Sequence, residues 1–224
     1  MTITMDKVNK LLPQNVNVII EGRTIVLKPM TENEINERYL SWLNDPETNR
    51  FLEIRYRKQT MTDIYSYING LRSSEGCEIF AIFSKKNDIH IGNIAITHFN
   101  VNNHGTAIYG AMIGEPRARM LGLGAEAEAL IVEFLFRHPE IRKVKAGAYE
   151  ENSKSWQLLE RLGFQREAVL RKEAVMASSK ICDSYLYGIL REEWMERREK
   201  FPFLLRYMKI IDKRKKDRCH QKLF

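Results

Sequence analysis

The stretch RMLGLGAEAEALIVEF, residues 119–134, constrains the fold more than any other. Gly122 and Gly124 stand in a short turn, and Leu123, Ala127, Leu130, Ile131, Phe134 and Leu135 then recur at the spacing of one helical face. Glycine costs backbone entropy, so two of them in a turn mark a sharp bend or a close approach. A helix start presents unpaired N–H groups and the positive end of a dipole, which together suit an anion. Taken alone, an ordinary loop-to-helix junction is the simpler reading, because short glycine motifs recur by chance.

The surrounding pattern is α+β. RTIVLKPM (23–30) alternates as a strand, and Thr31 with Glu34 forms a capping box ahead of a helix with Ile35, Tyr39 and Trp42 on one side. Pro46 breaks that helix, and a second is expected over Thr62–Leu71. EIFAIFSKKNDIHIGNIAI (78–96) reads as a hairpin and TAIYGAMIG (106–114) as a strand, directly before the glycine turn. The helix after the turn is expected to run until Pro139 stops it. A strand at 142–149, a helix at 152–163 with Gly163 at its C-terminal cap, strands at 164–171 and 183–190, and a polar helix from Arg191 complete the order.

With 44% hydrophobic and 29% charged residues, the chain reads as a globular protein able to bury a core. It shows no apolar run of membrane-spanning length and no signal-peptide core. Cys77, Cys182 and Cys219 lack metal-ligand spacing, so no metal is expected, and their odd number reads as free thiols in a reducing cytoplasm. The net charge of +7 is concentrated in residues 206–224, where eight Lys/Arg oppose two Asp. A solvated tail is the simplest reading, with RNA or anionic lipid as contacts it could make, and no specific nucleic-acid partner is expected. The expected organisation is a leader over 1–22, one domain over 23–195 and a basic tail over 196–224.

Three segments together resemble the GNAT superfamily of acyl-CoA-dependent N-acetyltransferases. Arg119-Met-Leu-Gly122-Leu-Gly124 matches its R/Q-x-x-G-x-G/A motif, after a strand and opening a helix; ENSKSWQLLERLGF (151–164) matches its N-x-x-S…GF signature. DSYLYGILREEW (183–194) resembles the closing strand of the ribosomal-protein N-terminal acetyltransferase branch, while YLSWLNDPETNRFLEIR (39–55) and HIGNIAI (90–96) resemble members acting on nucleotide-linked amino sugars. The resemblance implies a GNAT fold: a central mixed, mostly antiparallel twisted sheet of about seven strands flanked by helices. It implies acetyl-CoA as cosubstrate, its pyrophosphate cradled by backbone N–H groups from Arg119 through Met120, Leu121, Gly122, Leu123, Gly124 and Ala125. It further implies a splayed strand end at Ala111–Gly114, where the N–H of Met112 or Ile113 bonds the thioester carbonyl.

Asn152 is then a contact of the pantetheine arm and Ser155 the acid that protonates the departing thiolate, since Leu159 stands where many members place a tyrosine. The residues themselves allow a plainer reading, because Asn and Ser are both good helix caps. Arg161 meets a coenzyme phosphate or is a solvated helix charge. Candidate general bases are His98 and Glu150, with His104 beside them and Glu173 weaker, because the branch's carboxylate falls one position later; a water relay is the alternative. An α-amino group, with its pKa near ~8, needs less help than a lysine amine near ~10. Trp42, Asn44, Arg50, Glu53 and Arg55 are expected to bind the acceptor, the two arginines gripping a nucleotide phosphate, although Trp42 also completes a core stripe. The acceptor implied is a nucleotide-linked deoxyamino sugar of surface-polysaccharide synthesis. A protein N-terminus is the alternative, and a non-catalytic CoA-binding module a third reading from another class.

Overall fold

A computed structural model gives the protein's structure over residues 18–74, 76–100 and 104–212. Nine strands, β1 (Val18–Glu21), β2 (Ile25–Pro29), β3 (Glu78–Ser84), β4 (Ile89–Asn100), β5 (Thr106–Ile113), β6 (Lys143–Tyr149), β7 (Gln165–Val175), β8 (Ile181–Leu190) and β9 (Lys209–Asp212), form one sheet in the order β7-β8-β6-β5-β4-β3-β2-β1-β9. The helices are α1 (Glu37–Asn44), α2 (Pro46–Asn49), α3 (Met61–Ser73), α4 (Leu123–Phe136), α5 (Ser153–Leu162), α6 (Arg191–Arg197) and α7 (Pro202–Tyr207). Every neighbouring pair in the sheet is antiparallel except β5–β6. None of the described helices is long and apolar enough to cross a membrane.

Both faces of the central strands are covered, which is why β3 reads as a continuous apolar run. Tyr39 and Trp42 of α1 with Ile64 and Ile68 of α3 pack on Ile79, Ala81, Ala95 and Met112. Leu130 of α4, Leu159 of α5 and Trp194 of α6 join Phe80, Ile94, Val144 and Ile189 on the opposite face. α4 is buried on every side from Ala127 to Phe136, including Glu128 and Glu133, and is not the half-exposed helix its stripe foretells. The reason lies downstream: Trp194 Nε1 donates to Glu133 at 2.9 Å and Arg198 pairs with the same carboxylate at 2.9 Å, pressing the later chain onto the helix.

Three local details depart from expectation. The Thr31–Glu34 capping box forms, but it closes a short 3-10 turn over Glu32–Glu34; α1 has its own cap, Asn36, which accepts from the N–H groups of Arg38 and Tyr39. Pro46 opens α2 rather than a loop, its fixed φ suiting a first helical turn. The sheet has nine strands where about seven are expected, because VIIE and KIID, within the segments read as leader and tail, pair with each other through Val18–Asp212 and Ile20–Ile210. Four residues are too few to show a period, and the partners lie far apart in the chain. The remainder of both segments, with Cys219 and most of the basic run, is outside the described residues.

Candidate active site

The parallel pair at the centre of the sheet holds for only three registered positions, Thr106–Lys143, Ala107–Val144 and Ile108–Lys145. Beyond Ile108 the β6-facing edge of β5 has no strand paired with it among the described residues, while β4 stays paired with β5 to Ile113. The gap opens between two glycines on the face that α1 and α3 cover elsewhere. A Cβ added to Gly110 meets nothing within 4 Å, and one added to Gly147 first meets the Tyr185 carbonyl at 3.6 Å.

The glycine turn stands at the end of β5. Met120 and Gly122 both adopt left-handed backbone, φ 67° and 77°, and Gly122 is the N-cap of α4. Nothing lies within 4 Å of where a Gly122 side chain would begin, so the turn's backbone faces open space at the start of a 14-residue helix. Gly124 fits closely, its added Cβ lying 3.3 Å from Ile113 Cγ1. Met120 and Leu121 point outward, Met120 being 81% exposed. Two left-handed residues flanking Leu121 curve the backbone at a helix start, whose first N–H groups have no partner within the helix, so the residues present fit a pyrophosphate.

Arg119 does not aim at that seat. Its guanidinium donates to the carbonyls of Ile113 at 3.3 Å and Gly114 at 3.2 Å and to Thr48 Oγ1 at 2.5 Å. It ties the turn to the end of β5 and to α2, where Thr48 also donates to Asp45. Chiefly through that hydrogen bond, Asp45 is held below the usual carboxylate range. Trp42 is core, as its stripe foretells: it is buried, and its indole lies so close to Gly114 that a Cβ there would sit 2.2 Å from the ring.

At the far side of the gap, Asn152 and Ser155 begin α5. Asn152 holds the N-cap position, its carbonyl accepting from Ser155 at 3.0 Å, but its side chain makes no cap bond; its backbone N–H goes to the Tyr149 carbonyl at 2.9 Å. Ser155 is half-buried in the first turn and Leu159 is buried in the core. Arg161 is exposed, its Nε donating back to the Gln157 carbonyl at 3.3 Å. Among the base candidates, Glu150 follows β6 directly and is exposed, with Oε2 3.4 Å from the Asp183 N–H. His98 is exposed opposite Ile108, on the face of the gap but at its closed end. His104 and Glu173 are exposed on a turn and on a bulged stretch of β7 and are not brought to the gap.

The expected acceptor residues divide sharply. Asn44 is consumed in a two-way bracket with the backbone of Gln59, at 2.7 and 3.0 Å. Arg50 and Glu53 are exposed, Arg50 pairing with Glu47 at 3.5 Å and lying over Phe51. Arg55, expected to grip a phosphate, is instead a buried clamp with a side chain only 1% exposed. Its guanidinium donates to the Leu52 carbonyl at 2.8 Å, to Tyr149 Oη at 3.3 Å, to Tyr56 Oη at 2.5 Å and to the Val175 carbonyl at 3.0 Å. Tyr56 Oη donates to the same Val175 carbonyl at 2.7 Å. The segment after α2 is thereby bridged to the ends of β6 and β7, and Phe51 joins Tyr149, Ala174, Met176 and Cys182 in a small apolar cluster below it. Sequence reasoning missed the neighbouring Tyr56 as well as Tyr149 and Val175 as partners; nothing local marks the last two, which lie 94 and 120 residues from Arg55.

A buried acid lies behind the site. Tyr109 of β5 donates to Glu128 of α4 at 2.9 Å, and burial lifts the Glu128 carboxyl from 4.5 to about 7, against the downward pull of that hydrogen bond. A carboxyl raised on folding contributes stability that is complete below about 4.5 and lost as pH rises through about 7. Glu128→Gln keeps an acceptor for Tyr109 and cannot ionise. Its melting temperature is expected to match the parent's at pH 5 and exceed it at pH 8, measured by thermal denaturation across pH.

The comparisons with known proteins agree with this geometry. Residues 24–165 match the family model described as an acetyltransferase (GNAT) domain. The N-acetyltransferase YnaD of Bacillus subtilis is 25% identical over 60% of this chain and 76% of its own length. Mycobacterium smegmatis RimJ in complex with CoA-disulfide superimposes with a TM-score of 0.70 at 17% identity, covering 86% of this chain and 98% of that one. Spermidine N-acetyltransferase from Vibrio cholerae, in complex with CoA and spermine, gives 0.68 at 17%, covering 77% and 98%. At such identity these two likenesses are of fold. The family model spans more than half the chain, and with the strand gap and the glycine turn in place the chain belongs to the GNAT acetyltransferases and is an N-acetyltransferase.

Proposed function

We propose that the protein transfers an acetyl group from acetyl-CoA to the primary amine of a small molecule, by direct attack in a ternary complex. The observation that carries this reading is the end of β5–β6 pairing after three positions, beside the left-handed turn that opens α4. Acetyl-CoA supplies the activated thioester carbonyl. The backbone of Arg119–Ala125 seats the pyrophosphate, and the free edge of β5 aligns the arm that leads from it. The N–H of Met112 or Ile113 donates to the carbonyl oxygen as negative charge grows there. Asn152 binds the arm, Ser155 hands a proton to the leaving thiolate, and Glu150 or His98, directly or through water, takes the proton of the amine.

Within small amines we propose a nucleotide-linked deoxyamino sugar as acceptor, with Arg50 and Glu53 as the accessible charges at the rim. The Arg55 bridge across this face supports a small acceptor over a polypeptide. The test is release of CoA thiol from acetyl-CoA, with nucleotide-linked 4-amino sugars, spermidine and N-terminal peptides of ribosomal proteins as separate acceptors. Turnover with the sugars alone is expected; turnover with peptides alone overturns the acceptor, and no turnover with any amine makes the protein a CoA-binding module. Ser155→Ala is expected to slow turnover by about 10- to 100-fold at unchanged KM, as loss of a positioned acid does. Full activity in that variant would remove Ser155 from its role.

A further inference from the structure

Behind the end of β5 sits a buried histidine that the proposed reaction leaves unused. His90 of β4 is 4% exposed, and its ring packs against Tyr39, Trp42 and Phe83 with centroids 5.9, 5.1 and 5.5 Å away. Its Nε2 lies 2.9 Å from the Gly92 carbonyl oxygen, which can only accept, so Nε2 carries the proton. Burial pushes the imidazole down from 6.5 to about 4, so the ring is neutral near pH 7. Nδ1 then holds a lone pair with no partner among the described residues. An apolar side chain of similar size would fill this space without stranding a ring nitrogen. What the imidazole adds is the bond to Gly92.

That bond spans a bulge. Ile82 and Phe83 of β3 face Gly92 and His90, and Ile91 is the extra residue between them. The Ile91 carbonyl accepts from the Glu115 N–H at 3.0 Å, just past β5, and the Arg38 guanidinium donates to the His90 carbonyl at 2.9 Å. Gly92 is registered with Ile113, and a Cβ on it would lie 2.1 Å from the Met112 carbonyl oxygen. His90 also meets Trp42 edge to face, and that indole leaves no room for a Cβ on Gly114. One imidazole thereby supports two groups, the Gly92 backbone and the Trp42 ring, that press on Met112, Ile113 and Gly114.

We infer that His90 is a positioning residue for acetyl transfer: through Gly92 and Trp42 it fixes the strand end whose N–H bonds the thioester carbonyl. The inference rests on the reading that this N–H, from Met112 or Ile113, is the carbonyl's hydrogen-bond donor. Such a donor stabilises the growing negative charge only when it is already aimed at the oxygen, and removing one costs about 100- to 1,000-fold in kcat. A donor displaced but still present is expected to cost less, about tenfold.

The test follows the carbonyl itself. Infrared difference spectra of acetyl-CoA labelled with carbon-13 at the carbonyl are recorded on the parent chain and on His90→Leu, His90→Asn and His90→Gln. Leucine fills the space without a donor, the asparagine amide stops short of Gly92, and the glutamine amide reaches the position of Nε2. The bound carbonyl band is expected to move to lower frequency in the parent, to lose most of that shift in His90→Leu and His90→Asn, and to regain it in His90→Gln. With the amine that turns over fastest, kcat is expected to fall about tenfold in the first two variants and to recover within about threefold in His90→Gln, at unchanged KM for acetyl-CoA. Should His90→Leu fail to fold, the asparagine and glutamine variants decide. A parent-like band and kcat in His90→Asn, or losses in His90→Gln as large as in His90→Asn, would overturn the inference while leaving the N–H donor in place. An unshifted carbonyl band on the parent chain would overturn the donor reading beneath it.

Discussion

Arg55→Ala is expected to lower kcat/KM by about 10- to 100-fold and stability by about 3 kcal/mol, because it removes a buried guanidinium that hydrogen-bonds to three segments of the chain at once. The Leu52 and Val175 carbonyls and two tyrosine hydroxyls all receive the same guanidinium, which also lies over the rings of Tyr56 and Tyr149 at 4.3 and 4.9 Å. Without it the segment after α2 is no longer held to the ends of β6 and β7, and the acceptor side of the gap opens. Arg55→Lys is expected to recover little, since one ammonium cannot reproduce a planar fork with several fixed partners. Urea denaturation measures the stability; steady-state kinetics with acceptor varied at saturating acetyl-CoA measures the rest. Parent-like values in both would show that the clamp is incidental.

The second large effect is expected at the turn. Gly122→Val forces a branched side chain to φ 77°, where L-residues lose about 1–2 kcal/mol, and it fills the open space above the helix start. We expect KM for acetyl-CoA to rise about 100-fold with a smaller change in kcat, the pattern of lost ground-state binding. Gly70→Ala is the control. It lies in α3 with nothing within 4 Å of its added Cβ, so it is expected to leave kinetics unchanged and to stabilise by about 0.5–1 kcal/mol. A Gly122→Val enzyme with parent KM would remove the turn from coenzyme binding.

The sequence was most legible where chemistry is local. Gly163 at the C-terminal cap of α5, with φ 99°, and the hairpin of β3 and β4 follow from a few adjacent residues. The turn of 119–124 was legible as a sharp bend opening a helix, because Gly122, at φ 77°, makes that bend from its own backbone freedom. Arg55 was not. In sequence it is one of several surface-like charges, and its burial is decided by Tyr149 and Val175, about a hundred residues away. The same limit applies to the full burial of α4, which depends on Trp194 and Arg198, and to Asn152, which holds the N-cap position without the side-chain bond its type suits.

The pairing of β1 with β9 sets an order on how the molecule can be completed. Residues 18–21 emerge early in synthesis and wait for residues 209–212, so this contact closes one of the longest loops in the chain. Until then β1 is a bare sheet edge carrying Val18 and Ile20, the kind of surface that pairs with other chains. A chain cut after residue 195 would keep the glycine turn and the gap yet carry that open edge permanently. Its foreseeable failure is self-association, even while the chemistry of the site survives.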